Sequence, residues 1–566
     1  MRILLLCHAF NSLTQRLFVE LKAREHEVSV EFDINDEVSS AAVALFQPDL
    51  IIAPFLKRAI SESIWRKHVC LIVHPGIVGD RGPSALDWAI LNQEKTWGVT
   101  VLQATAEMDA GPIWASAEFP MRKASKASLY RNEVTEAASQ AVLKAVSRFI
   151  VNTYMPQALA DAGESARGQW REAVKRADRR IDWQHDTTQT VLRKIRSADG
   201  YPGLLDQCFD RKVYLYDARA ASKLRGEAGQ IIAYSGNAIC RASIDGAVWI
   251  GHLRDASSKH PFKLPATQVL QNYLQDVPCL PESDYAEIWY QRIAEVGYLH
   301  FPFYNGAMSV EQCQRLLQAY REALAQPTRA IVLMGGADFW SNGMHLNQIE
   351  AADSAPDASW ENINAIDDLA AEIIRTDTQI TVAALQGNTG AGGVFLARAC
   401  DVVWARSGVI LNPHYKDMGN LYGSEYWTYL MPRHIGADKA ATILQARLPM
   451  GMTEAVHLGL VDAHFGESLR AFNRQLQLRA EDLVSHSDYA LRLSTKANLR
   501  AQDEENKPLE MYRNEELQCM KMNFYGFDPS YHIARYNFVY KIPKSRTPLT
   551  IALHRKASAI PLRKAS

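Results

Sequence analysis

Apolar and polar positions along the chain fall into three successive rhythms. Over the first 110 residues, the apolar runs RILLLC, HEVSVEF, PDLIIAPFL and VCLIVH predict strands, and LTQRLFVELKARE between the first two has helical spacing. Runs without polar alternation suit strands covered on both faces. Strand, helix, strand at this interval predicts an α/β domain with a parallel sheet and helices on either side. Ligands bind beyond the carboxyl ends of such strands. His74 stands at one of these ends, followed by Pro75 and Gly76, which force a loop.

The polar, glycine-containing stretch near 160–170, LADAGESARGQW, reads as a linker. After it, RIDW, the helix-like TQTVLRKIRSAD and short strands such as KVYLYDAR and AVWIGHL predict a small, mostly β domain ending near 270. Prolines in DVPCLPES mark the next boundary. From about 295, GYLHFPF is a strand, SVEQCQRLLQAYREALA an amphipathic helix and RAIVLMGG a strand, the start of a further α/β domain. The expected domains are 1–165, 170–270 and 285–566. A tail from Pro529 carries eight Lys/Arg and no acid. A solvated segment is the plain reading of such a tail, and contact with ligand phosphates the functional one.

Composition narrows the classes. A chain of 566 residues exceeds what one core supports. Lys plus Arg (62) nearly cancels Asp plus Glu (63), so charge gives no reason to expect nucleic acid or an anionic membrane as partner. The eight cysteines are scattered, without CxxC or a Cys/His cluster. That argues against a disulfide framework and against a metal site, and suits reduced thiols in a cytoplasmic protein. The start, MRILLLCHAF, has too short an apolar core for a signal peptide. No apolar run approaches the roughly 18 residues of a membrane span.

Three motifs carry the first candidate chemistry: VHPG (73–76), DRGPSALDWAI (80–90) and MDAGPI (108–113). At this spacing they resemble the 10-formyltetrahydrofolate-dependent formyltransferases. RIDW followed by IRSADGYPGLL resembles the small C-terminal domain of the methionyl-tRNA enzymes in that family. The resemblance implies a catalytic His74 and Asp109, with Gly76, Gly82 and Gly111 among the cofactor-binding positions. An imidazolium can stabilise the formyl oxygen and take part in proton transfer. A carboxylate beside it favours the charged ring and fixes its orientation. The family's Asn two residues before this His is replaced here by Ile72. Removing one such donor costs about 2.7–4 kcal/mol in other enzymes. A thiol acceptor, intrinsically more nucleophilic than an amine, would tolerate that loss.

The second candidate site rests on RAIVLMGGADFWSNGMHLNQ (329–348) and VAALQGNTGAGGVFLARACDVVWA (382–405). In this order, with YNGAMS (304–309) before them, they resemble the crotonase (enoyl-CoA hydratase/isomerase) family. The resemblance implies binding of coenzyme A thioesters, whose carbonyl oxygen sits between two backbone N–H groups, here Met344 and Gly392. Gly343 and Gly393 are the neighbouring binding positions. The two hydratase glutamates fall at or near Phe395 and His414, and a phenylalanine cannot transfer a proton. Hydratase activity is therefore not expected. Candidate proton handlers are His414, Tyr415 and Glu425, with Tyr426 a weaker one.

The order of the two halves and the motif NFYGFDPSYHIARYNFVYK closely resemble the HoxX family of hydrogenase maturation proteins, over essentially the whole chain. The resemblance implies formyl transfer from 10-formyltetrahydrofolate to coenzyme A, then decarbonylation of formyl-CoA to carbon monoxide and CoA. The carbon monoxide would serve the iron of a nickel–iron hydrogenase, with hydrogenase maturation proteins as possible partners. A formyl-CoA synthase or hydrolase that releases no carbon monoxide is the alternative enzyme. A non-catalytic assembly scaffold is the alternative from another class.

Overall fold

The computed structural model describes residues 1–281 and 284–556, which divide into two compact units. The first comprises Met1–Ser258, Pro265–Tyr285 and the C-terminal residues from Lys544 onward. The second comprises Lys259–Leu264 and Ala286–Pro543. Among the described residues no helix is long and apolar enough to cross a membrane.

The first unit opens with a six-stranded sheet. Its strands are β1 (Arg2–Cys7), β2 (Glu27–Phe32), β3 (Leu50–Ala53), β4 (Cys70–His74), β5 (Thr96–Gln103) and β6 (Ile113–Pro120), in the order β2-β1-β3-β4-β5-β6. Strands β1 to β4 run parallel, as the apolar runs predict. β5 and β6 are antiparallel additions. The connection between them is too short for the crossover a parallel pair needs. Asn11 caps the first helix, Ser12–Lys22, by accepting the Thr14 N–H at 3.0 Å. A second sheet, antiparallel throughout, joins Leu204–Cys208, Arg211–Ala221, Ala247–Asp255, Ala238–Ala242 and Ile231–Ser235 in that order. It packs on the helix Thr188–Ala198 through Val191, Leu192 and Ile195.

Two stretches behave differently from their sequence reading. The presumed linker near 160–170 is a strap against the loop after β4. The Gly168 N–H donates to the Val78 carbonyl (2.9 Å), the Arg81 N–H to Gln169 (3.2 Å) and the Arg171 N–H to Arg81 (3.0 Å). The basic tail, expected to go with the second half, divides at Lys544 and returns to the first unit. There the Val30 N–H of edge strand β2 donates to the Ile551 carbonyl (2.9 Å), and the Phe32 N–H to the Thr547 hydroxyl (2.8 Å). Buried Glu31 takes His554 (2.8 Å) and Arg555 (2.7 Å) as partners, with the Thr547 hydroxyl on its other oxygen. Arg535, at the start of the tail, is buried and paired with Glu350 at 2.7 Å. The tail's Arg563 and Lys564 lie outside the described residues.

In the second unit, an antiparallel hairpin (Trp289–Ile293, Val296–His300) continues into parallel strands Ala330–Met334, Ile380–Leu385, Val402–Arg406 and Ala463–Phe465. A smaller sheet sets Phe339–Ser341, Asn388–Gly390 and Ile410–Asn412 side by side in parallel, with Met450–Gly451 antiparallel at the edge. The smaller sheet matters most for chemistry. Its first two strands end together at Asn342–Met344 and Ala391–Gly392.

Candidate active sites

In the first unit, His74 ends β4 and is buried between two carboxylates. Its Nε2 lies 2.9 Å from Asp80 Oδ2, and its Nδ1 lies 3.5 Å from Asp109 Oδ2. The expected partner, Asp109, thus makes the looser contact, and its carboxylate also accepts the Gly82 N–H at 3.1 Å. Asp80, passed over in the sequence reading, is the tight partner. It is 2 % exposed, and its other oxygen receives Arg171 from the strap at 3.2 Å. The signal for it was present in DRG, but only the fold brings residue 80 back onto residue 74.

The glycines of these motifs have an internal reason to be glycine. A Cβ on Gly76 would lie 2.4 Å from His74 Nε2 and 2.5 Å from Asp80 Oδ2. On Gly82, whose φ is +112°, it would meet the Arg171 carbonyl, and on Gly111 the Gln103 carbonyl. Gly168 does the same for the strap, where a Cβ would strike the Asp80 nitrogen. The Thr100 hydroxyl and the Trp97 indole N–H hold the Gly76 and Pro75 carbonyls, each at 2.9 Å. Ile72 shares the His74 face of β4 and packs on the apolar cluster around Leu4, Ile51 and Ala104. It offers the site no polar atom.

In the second unit the segments that carry the two expected amides approach each other at Gly343, the residue before Met344. A Cβ on Gly343 (φ +75°) would lie 3.5 Å from the Gly392 nitrogen. Neither the Met344 nor the Gly392 N–H has a protein acceptor among the described residues. The Gly343 N–H is taken by the Ser341 hydroxyl at 3.1 Å. Gly393 packs so closely on the Ser341 carbonyl that a Cβ would lie 2.2 Å from it. Two free amides on approaching segments suit one carbonyl oxygen, as a thioester substrate would require.

Of the candidate proton handlers, Glu425 and Tyr415 come together. The Tyr415 hydroxyl donates to Glu425 Oε2 at 2.5 Å. The other carboxyl oxygen lies 1.9 Å from where a Gly392 Cβ would be and 3.9 Å from that of Gly343, so the carboxyl stands beside both glycines. Glu425 is 1 % exposed; burial and the nearby Asp367 push its pKa up to about 8. The Tyr415 ring stacks on Phe395, with centroids 5.0 Å apart. Phe395, at or near which the resemblance puts a hydratase glutamate, is therefore the wall behind Tyr415. His414 makes no hydrogen bond to this pair. Its Nδ1 is buried without a partner among the described residues, and burial lowers its pKa. The Tyr426 hydroxyl is likewise buried and unpartnered. Among the described residues no group of three or more His, Cys, Asp or Glu is disposed to hold a metal ion.

Comparison with known proteins agrees with both halves. Residues 11–146 match the formyl transferase family profile, 173–271 its C-terminal domain, and 291–526 enoyl-CoA hydratase/isomerase. A methionyl-tRNA formyltransferase of Sulfurovum is 25% identical over 43% of this chain and 77% of its own length. The crystal structure of HypX from Aquifex aeolicus in complex with tetrahydrofolic acid superposes with a TM-score of 0.95 and 47% identity, covering 98% of this chain and 99% of that one. The hydrogenase maturation factor HoxX of Bradyrhizobium diazoefficiens is 57% identical over 98% of this chain and 97% of its own. The chain belongs to the HoxX family of hydrogenase maturation factors.

Proposed function

We propose that this protein makes carbon monoxide from 10-formyltetrahydrofolate, with coenzyme A as the carrier of the formyl group. In the first step a C–N bond to folate breaks and a C–S bond to CoA forms, and the thiol proton ends on the folate nitrogen. His74, oriented between Asp80 and Asp109, would oppose the charge growing on the formyl oxygen. The thiol acceptor accounts for Ile72, since a strong nucleophile needs less activation of the carbonyl.

In the second step the formyl C–H and C–S bonds break, the proton passes to sulfur, and carbon monoxide and CoA leave. No oxidant or water enters. The Met344 and Gly392 amides would draw electron density from the carbonyl, and Glu425 would accept the formyl proton and return it to sulfur. Tyr415 orients that carboxyl. The observation that carries this reading is the buried Glu425 carboxyl beside Gly392 and Gly343, with Phe395 stacked behind its partner Tyr415 where an acid for water addition would be needed. The carbon monoxide would serve hydrogenase assembly in the cytoplasm.

Incubating the purified protein with 10-formyltetrahydrofolate and CoA, with haemoglobin as trap, should yield carbon monoxide only when both are present. Asp109→Ala should stop it at the first step and Glu425→Gln at the second, with formyl-CoA accumulating in the latter. Formyl-CoA or formate from the unaltered protein, without carbon monoxide, would favour the alternative enzyme. Absence of folate turnover would favour the scaffold.

A further inference from the structure

Glu425 sits on a costly piece of backbone. It and Tyr426 are consecutive non-glycine residues in the left-handed region, with φ of 58° and 59°. Such conformations persist only where the surroundings over-determine them. Here side chains take nearly every N–H of the turn. Asn523 accepts from Tyr422 (2.9 Å), Met520 Sδ from Gly423 (3.2 Å), and Glu425's own carboxyl from Ser424 (3.3 Å). Asp367 accepts from Glu425 (2.9 Å), while Glu516 accepts from both Tyr426 (2.9 Å) and Thr428 (2.8 Å). The Ser424 hydroxyl lies between the two acids, 2.7 Å from Asp367 and 3.3 Å from Glu516.

Asp367 comes from the helix Ala355–Arg375, and Glu516, with Met520 and Asn523, from the helix Leu509–Tyr525. Both acids are fully buried, and neither forms a salt bridge among the described residues; Arg513 pairs instead with Asp368 at 2.7 Å. Burying an unpaired carboxyl is expensive, but only a carboxyl offers two accepting oxygens, as Glu516 does to the Tyr426 and Thr428 N–H groups. The groups facing Glu425 are Tyr415, Asp367, Glu516 and the buried thiol of Cys313. No cation among them neutralises it. Burial pushes Asp367 up to about 7 and Glu516 to about 8, so these acids compete with Glu425 for protons near neutrality.

We propose that Asp367 and Glu516 are positioning residues, which grip the amides of the 422–428 turn and so hold the Glu425 carboxyl beside Gly392 and Gly343. The proposal rests on Glu425 being the proton acceptor. It gives the Leu509–Tyr525 helix a task in the reaction although none of its residues touches the expected amides.

Glu516→Gln in the full chain tests it, because both Glu516 oxygens accept N–H groups and an amide can accept only with one. With formyl-CoA as substrate, kcat for carbon monoxide release should fall on the order of 10²-fold, as for a small misplacement of a reacting group, with KM nearly unchanged. Hydrogen exchange followed by mass spectrometry should quicken across residues 422–428 and nowhere else. Ser424→Ala should act in the same direction more weakly, and decides the matter if Glu516→Gln does not fold. Unchanged kcat in the folded variants, or exchange that quickens throughout the unit, overturns the proposal. If Glu425→Gln keeps releasing carbon monoxide, the assignment of Glu425 falls, whereas exchange confined to the turn would still support the grip of Glu516.

Discussion

The role proposed for Glu425 depends on its protonation state. A carboxyl with an ordinary value of 4.5 is raised here to about 8, first by burial and then by the charge of Asp367. The proton-accepting form therefore accumulates as pH rises through about 8. Carbon monoxide release from formyl-CoA should climb over that range and then level, a profile that kcat measured between pH 6 and 9 would show; a flat profile would remove Glu425 as the base. Stability runs the other way. Between about 4.5 and 8 the folded chain keeps protons that the unfolded chain releases, so the second unit should melt at lower temperature as pH rises through this window. Glu425 and Tyr415 were legible in the sequence as polar residues near a family site. Asp80, Asp367 and Glu516 were not, because nothing local distinguishes a carboxyl that folds back onto a distant turn from one facing solvent.

Element-scale order explains why the loop after β4 is glycine-rich. The strap around Gly168 and the Gly76 turn bring Asp80 against His74 with no space for a side chain between them. Gly76→Ala should push the two apart. Overpacking of this kind costs about 1–3 kcal/mol, and the misplaced imidazole should lower formyl transfer on the order of 10²-fold. Formyl-CoA formation measured beside a melting curve checks both parts, and full activity would show that the His74–Asp80 contact is dispensable. The apolar runs of β1 to β4 were readable because continuous burial leaves a plain pattern. The strap was read as a linker because small, polar, glycine-containing stretches look alike whether solvated or packed tightly on a neighbouring loop.

At the scale of the molecule, the succession of formyltransferase-like and crotonase-like segments was readable from motif order, whereas the course of the tail was not. Its lysines and arginines suggest a solvated end, yet His554 and Arg555 are the partners of buried Glu31. Burial opposes charge on Glu31, but His554, Thr547 and Arg555 outweigh it and hold its carboxyl below the usual range. Deleting residues 544–566 leaves that charge unpaired on β2 and should destabilise the first unit by about 3–5 kcal/mol. Calorimetry would show the loss, and Glu31→Gln in the shortened chain should recover part of it. An unshifted first-unit transition would mean the tail is not structural.

The return of Lys544–Lys556 to β2 also sets an order of synthesis. A ribosome making this chain produces β2 early and its partner segment only after the whole second unit has been made. The first unit therefore remains unfinished throughout elongation. A chain abandoned before residue 544 has neither Thr547 nor His554 to satisfy Glu31, so premature termination would not yield a sound first unit.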